Sequence, residues 1–478
     1  MRIDLLLPAV AASLLALACE GGGSVPGTDP AGLPDDAATA ETAPPDDAPA
    51  ADRGTDEAPD AVADAAPDLP PEAAPDTAID PALADPVSAD PAPDPADDAP
   101  GEAVATDPPG DPAPEETSHP LVPDPFAWGP YEVGMTSFQF FDWDRMRLVA
   151  TTVWYPAIPG GQKHAVYLAL ITGRAYAQAS KDPSGAPYPL VLFSHGFRGT
   201  AVQSIGFTEH LASHGYVVAA MDHAGNTLTD FFSDDKKVAQ VALDRPRDVA
   251  FASEQVIAQS RLSSGFLSGM VDTTRVAVTG HSFGGYTALM VAGGQVDVSG
   301  AQAACAAGTP ADIFCDYVGY WPAGQCIRSD PLPGLKAAVA LAPGGSSAFG
   351  PTGLHTVTVP VAVFGGTLDP TCPVEIETHP IFLGLPTPKG EGIVQSASHM
   401  SYTNVCDIPL SDQALKDYCG VEGMLEDDQT FAIMNGVAVS WLKRYVEGLP
   451  AYAAWLDPAW VVVHQPALQW TFQPGVPP

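Results

Sequence analysis

Three residues of types that could perform acyl transfer together occur along this chain in the order Ser282, Asp369, His399. Ser282 stands in Gly280-His281-Ser282-Phe283-Gly284. With 45 glycines in 478 residues, a G-x-S-x-G arises by chance roughly once in four such chains, so its surroundings must decide. Arg275 to Thr279 is a short β-branched run suited to a buried parallel strand, and Gly284 to Ala292 has the small and apolar residues of a helix packed on a sheet. A reversal this sharp between strand and helix leaves no room for β-carbons at the flanking glycines. The hydroxyl is then pushed out above the sheet, with the Phe283 N–H facing the same space. Such a turn presents a nucleophile.

The partners follow at matching places. Val359 to Phe364 reads as a strand running into Gly365-Gly-Thr-Leu-Asp369, which puts an acid just beyond a strand end, where it can orient an imidazole. Gly392 to Tyr402 reads as a strand and then a loop carrying His399. Among eleven histidines, His399 alone follows the acid and stands just beyond a strand; His379 is the second candidate base and Asp222 the second candidate acid. Pro189 to Phe193 is a short buried strand leading into Ser194-His195-Gly196-Phe197. There the Phe197 N–H is the natural partner of the Phe283 N–H in an oxyanion hole. Phe197 and Tyr286 are the candidate substrate-binding residues. Chemistry of this kind needs no metal and no organic cofactor. The cysteines offer no tetrahedral spacing to a metal.

The elements that would hold these residues are legible in outline. Phe138 to Phe141 and Leu148 to Tyr155 read as an antiparallel pair, with Pro156 ending the second. Ile205 to His214 reads as a helix closed by Gly215, Tyr216 to Met221 as a strand, and Asp244 to Arg261 as a helix. Lys336 to Ala342 is a further strand. Gly293 to Leu335 is loop-like, and an insertion over 295–335 is placed either as a lid on the substrate cleft or as a stapled surface excursion.

Before all this the chain carries export signals. Residues 1–19 read as a signal peptide: the apolar run from Leu5 to Ala18 has the length of a signal-peptide core and is too short to span a bilayer. The small residues before Cys19 resemble a bacterial lipoprotein cleavage site, which would lipidate Cys19 and anchor the chain to an outer membrane or cell surface; ordinary secretion or a periplasmic location is the alternative. Residues 20–118 hold 26 Asp and Glu against the single Arg53, so they carry −25 of the formal −38. With no aromatic residue and recurrent Pro they read as a disordered acidic linker. The remaining domain, 119–478, is only mildly acidic and has no basic stripe, which argues against nucleic acid as a partner. Six further cysteines (Cys305, Cys315, Cys326, Cys372, Cys406 and Cys419) point to disulfides of undetermined pairing.

From about Met146 to Tyr445 the chain resembles the α/β-hydrolase superfamily, in the branch holding platelet-activating-factor-acetylhydrolase-like lipases, predicted dienelactone hydrolases and cutinase-like polyester hydrolases. The resemblance rests on Phe193-Ser-His-Gly-Phe197, Leu211-Ala-Ser-His-Gly-Tyr-Val-Val218, Asp222-His-Ala-Gly-Asn-Thr227, Gly280-His-Ser-Phe-Gly-Gly285, Thr367-Leu-Asp369 and Ala397-Ser-His399. It implies an α/β fold with a mostly parallel central sheet and helices on both faces. It also implies Ser282 as nucleophile, Asp369 and His399 as its partners, and Phe197 and Phe283 as oxyanion residues. The implied activity is serine carboxylester hydrolysis of short- to medium-chain esters or lipids. The alternatives are a cutinase-like polyester or triacylglycerol lipase and a non-catalytic surface-tethered binding module. Polyester hydrolases usually carry a tryptophan after the Ala-Pro that ends the sixth strand, whereas here Ala342-Pro343 precedes Gly344. True dienelactone hydrolases use cysteine where this chain has Ser282. A small-molecule or lipid ester is thus the expected partner, with membrane contact only through Cys19, and the oligomeric state is not specified.

Overall fold

The computed structural model describes residues 122–160, 163–230, 234–308, 312–330, 332–408 and 418–475. The expected signal peptide with Cys19, the acidic linker over 20–118 and the domain boundary at 119 lie outside the described residues. No helix among the described residues is long and apolar enough to cross a membrane.

An eleven-stranded sheet organises the chain. Its centre is six adjacent parallel strands, in spatial order β12 (Lys389–Val394), β11 (Val361–Gly366), β10 (Leu335–Leu341), β7 (Val271–His281), β5 (Tyr188–Ser194) and β6 (Val217–Met221). One flank is closed by the antiparallel β13 (Leu468–Gln473). The other continues through β2 (Arg147–Ala157), β1 (Glu132–Asp142), β4 (Ile171–Ala177) and β3 (His164–Tyr167). Every residue of β5 is buried, as parallel strands covered on both faces require. Its side chains alternate between two apolar cores: Leu190 and Leu192 face one, Val191 and Phe193 the other. The first core is covered by α2 (Asp235–Arg261) and α3 (Phe283–Val291), the second by α1 (Ile205–Ser213) and α7 (Asp427–Tyr445).

Three expectations need correction. Pro156 does not end β2: it lies beyond Thr151 to Trp154, where β6 pairs, its carbonyl accepts the Asp182 N–H at 2.9 Å, and the Asp182 carbonyl takes the Tyr188 hydroxyl in place of the missing N–H. Helix α2 begins at Asp235 rather than near Asp244; the Asp234 side chain accepts the Lys237 N–H, and the helix runs on through buried Pro246. The segment after α3 is not a loop. It holds a two-stranded sheet of β8 (Gln295–Asp297) with β9 (Cys326–Arg328), the helix α4 (Val298–Ala306) and two 3-10 turns over Ile313–Asp316 and Val318–Tyr320. Its Phe314, Val318 and Trp321 are buried, and the Trp321 indole donates to the Ala239 carbonyl at 2.9 Å. The apolar anchors in this stretch are spaced irregularly, which hides them from a period-based reading.

The remaining labelled helices are α5 (Ser346–Phe349), α6 (Thr378–Gly384) and α8 (Pro458–His464). Cys305–Cys315 and Cys406–Cys419 are disulfides. Cys372 is not: it is a buried free thiol.

At the turn from β7 into α3, Ser282 adopts φ +57 and ψ −118, a conformation that costs a non-glycine residue of order 1–3 kcal/mol. A β-carbon on Gly280 would overlap the Gly284 carbonyl, and one on Gly284 would overlap the Ser194 and His195 carbonyls. Gly284→Ala should therefore destabilise the protein by more than about 3 kcal/mol in urea unfolding. Gly319→Ala, where a β-carbon would meet nothing within 4 Å, should change stability by less than about 0.5 kcal/mol.

Candidate active site

Each of the three chemistry-bearing residues stands just beyond the C-terminal end of a parallel strand: Ser282 after β7, Asp369 after β11, His399 after β12. The structure brings them into one hydrogen-bonded line. His399 Nε2 lies 2.9 Å from Ser282 Oγ, and His399 Nδ1 lies 2.7 Å from Asp369 Oδ2. The other carboxylate oxygen, Oδ1, accepts the Thr371 and Cys372 N–H groups at 2.8 Å each. Burial pushes the Asp369 carboxyl up, but the His399 charge and hydrogen bond, with those two amides, outweigh it and hold the group below its ordinary 3.8. The acid therefore stays ionised.

A cavity of about 460 Å³ opens above this line, and Ser282, His399, Phe197 and Phe283 all face it. The turn after β5 sits directly against the nucleophile: a β-carbon on Gly196 would come 3.4 Å from Ser282 Cβ. Neither the Phe197 N–H nor the Phe283 N–H donates to an acceptor among the described residues, which suits groups waiting for a ligand oxygen. Tyr286 is not at the cavity. It is fully buried one layer behind the wall, its ring 4.5 Å from that of Phe314, because its position on α3 turns it into the core. The two alternates also stand apart. His379 bonds Glu391 at 2.8 Å beside a separate cavity at the β11–β13 edge. Asp222 accepts the Ala201 N–H at 2.7 Å.

Several residues at the site gave no signal in sequence. His281 is buried, and burial first, then the His399 charge, pushes its pKa down to about 3, so it is neutral. Its Nε2–H donates to the His399 carbonyl at 2.9 Å, and its Nδ1 accepts from the Gln203 amide at 3.0 Å. Gln203 Oε1 in turn accepts the Gly196 N–H at 3.1 Å. One buried chain thus fastens the histidine loop to the turn after β5. Cys372 packs beside Asp369, and burial pushes its thiol well above the ordinary range, keeping it protonated. Asp369, Cys372 and His399 place donor atoms within 4.8 Å of one another. Both Asp369 oxygens and both His399 nitrogens are already engaged, which does not fit a metal centre.

The insertion supplies a cavity wall through Ile313, Phe314, Asp316 and Tyr317. Ile313 also explains the glycine after Ala342-Pro343. A β-carbon on Gly344 would meet Ile313 Cδ1 at 2.6 Å, so the insertion fills the space a larger residue would take.

Comparison with known proteins finds similarity to two kinds of hydrolase-named proteins. The family described as platelet-activating factor acetylhydrolase, isoform II, matches residues 162–243. Cutinase 1 of Thermobifida cellulosilytica is 24% identical across 57% of this chain and 73% of its own length. A cutinase of Thermobifida fusca (strain YX) is 24% identical across 57% of this chain and 64% of its own. The platelet-activating factor acetylhydrolase of Canis lupus familiaris is 30% identical over 22% of this chain and 32% of its own length. The chain has the α/β-hydrolase fold and is similar to platelet-activating-factor-acetylhydrolase-like and cutinase-related proteins.

Two buried acids hold α5 of this α/β-hydrolase fold, Asp312 from the insertion and Glu377 from the segment before α6. Asp312 Oδ2 accepts the Ser347 N–H at 2.7 Å, and Glu377 Oε2 accepts the Ser346 N–H at 2.7 Å. Burial first, then the Asp312 charge, pushes the Glu377 carboxyl up to about 8. A carboxyl raised in the folded state binds its proton more tightly there than in the unfolded chain, so stability declines as pH rises from 4.5 toward 8. Glu377→Gln should remove that decline. Thermal or urea unfolding should find it more stable than the parent at pH 8, by about 3 kcal/mol, and close to the parent at pH 4.5.

Proposed function

We propose that this chain is a serine carboxylester hydrolase working by an acyl-enzyme mechanism, and that Ser282, His399 and Asp369 are its catalytic residues. The observation that supports this most directly is the unbroken Ser282–His399–Asp369 hydrogen-bonded line at the floor of the cavity. His399 Nε2 takes the proton from Ser282 Oγ as the oxygen attacks the ester carbonyl, while ionised Asp369 stabilises the imidazolium. The oxyanion is met by the N–H groups of Phe197 and Phe283. Collapse of the tetrahedral intermediate breaks the bond to the alkoxy oxygen, which leaves with the proton from His399. Water then attacks the acyl-enzyme by the same steps, releasing the acid and restoring Ser282.

The substrate reading is a short- to medium-chain ester or lipid. The cavity is lined largely by apolar side chains, among them Leu228, Phe314 and Val405, and the insertion bounds one side. The aromatic-polyester reading is disfavoured, since Gly344 and the packing of Ile313 leave no stacking residue at that place. For the whole chain, the reading is an exported hydrolase domain held by the acidic linker and, where Cys19 is lipidated, by a membrane anchor.

Hydrolysis of p-nitrophenyl esters from acetate to palmitate tests this. The parent should prefer the shorter half of the series, and Ser282→Ala and His399→Ala should each lose at least about 10³-fold in kcat. Ile313→Ala should move the optimum toward longer chains. A fully active His399→Ala variant would transfer the base to another residue, and a parent with no serine-dependent turnover would favour the non-catalytic binding module.

A further inference from the structure

Arg245 on α2 is fully buried and outside the substrate cavity, yet its contacts converge on the turn carrying Gly196 and Phe197. Its guanidinium donates to the His195 carbonyl and, at 3.1 Å, to Asn226 Oδ1. Asn226 Oδ1 also accepts the Arg198 N–H at 3.3 Å. The backbone before and after Gly196-Phe197 is thus tied to one cation. On its other side the guanidinium carbon lies 4.4 Å from the centre of the Phe283 ring. Arg245 therefore touches Phe283, which carries one proposed oxyanion donor, and holds the residues on either side of Phe197, which carries the other, without facing the cavity itself.

The charge balance around it is unusual. A buried cation is costly unless paired, and among the described residues no carboxylate lies within ion-pairing distance of Arg245. Asp248, on the same helix, is already met by Arg145 and Arg147 at 2.7 Å each and by His223 at 3.1 Å. Two neutral imidazoles, His195 and His223, complete the surroundings; burial and the Arg245 charge both push their pKa values down. Asp248 still acts on Arg245 through charge, though burial outweighs it, so a cation with no directly paired carboxylate lies behind the turn where a tetrahedral intermediate would carry its negative charge.

We propose that Arg245 is a positioning residue for ester hydrolysis, which locks the Gly196-Phe197-Arg198 turn and supplies a buried positive charge behind the oxyanion donors. The inference rests on the hydrolase mechanism proposed above. A purely structural arginine would hold the fold without distinguishing the anionic intermediate from the neutral substrate, and that difference is measurable.

The test compares the parent with Arg245→Met, Arg245→Lys and Asn226→Ala, using p-nitrophenyl butyrate. Active sites are counted by the end point of fluorophosphonate labelling, and folding is followed by thermal melting. Each variant is also titrated with an alkyl trifluoromethyl ketone, which adds to serine as a tetrahedral anion, and with the neutral butyramide analogue. In Arg245→Met, kcat per site and ketone affinity should fall together by roughly 100-fold, with KM and amide affinity unchanged. Arg245→Lys, which keeps the charge with a poorer donor geometry, should fall between, and Asn226→Ala should lose several-fold in both. If Arg245→Met does not fold, the Lys and Ala variants carry the same comparison. Folded variants that keep the parent's ketone affinity and kcat, or that lose ketone and amide binding equally, would overturn the inference while the esterase reading stands. A parent without Ser282-dependent turnover would overturn that reading and this inference with it.

Discussion

The close approach of α3 to the loop after β5 is the constraint on which the candidate site depends. A β-carbon at Gly284 would occupy the space of two backbone carbonyls, those of Ser194 and His195, and one at Gly280 the space of a third. Because both positions are glycine, the elbow helix seats directly on the turn from β5, and Ser282 is held against Gly196. The positive φ of Ser282 persists because its surroundings leave no alternative: α3 is buried at every residue, and the Ser282 N–H is fixed to the Leu341 carbonyl at 2.8 Å. Packing of the helix and presentation of the hydroxyl are thus one requirement.

Around that contact the polar groups are arranged so that charge sits where it can be balanced. Asp369 keeps its ionised form by collecting two amides and an imidazole inside an apolar shell. His281, equally buried, stays neutral and serves as a hydrogen-bonding strut between the loop of His399 and Gln203. On the far side of the turn after β5, Asp248 gathers two arginines and a histidine. These networks give Asp369, His281 and Asp248 partners on other segments, which couples loops that follow different strands.

The parts of this arrangement that were legible in sequence share a property: they are local. Ser282, Asp369 and His399 each follow a short apolar strand, so their placement could be read from a run of ten residues and the order of three such runs. The parallel core strands were legible for the same reason. Gln203, Arg245 and Asp248 were not, because Arg245 and Asp248 are polar residues within a helix and Gln203 lies on the turn before one, with partners on other segments, and nothing local separates a buried polar group from a solvated one. Tyr286 was placed at the pocket from its nearness to Ser282 in sequence, but one helical turn is enough to rotate a side chain into the core. The insertion was taken for a loop because its order comes from a disulfide and irregularly spaced aromatic anchors rather than from a period. Leu468-Gln-Trp-Thr-Phe-Gln473, by contrast, carries a plain two-residue alternation matching its place as the edge strand β13.

The insertion between β7 and β10 contributes its cavity-facing side chains from one contiguous stretch, Ile313 to Tyr317, whereas Ser282, Asp369 and His399 stand on three separate post-strand loops. It has a two-stranded sheet of its own and is fixed to the body by side-chain hydrogen bonds and buried apolar anchors, not by joining the central sheet. One wall of the cavity and the proposed catalytic line are therefore written in different passages of the chain. A lineage that exchanged this one passage could change what fits the cavity while inheriting the bond-breaking apparatus intact, which makes the segment a natural unit of divergence among hydrolases built on this plan.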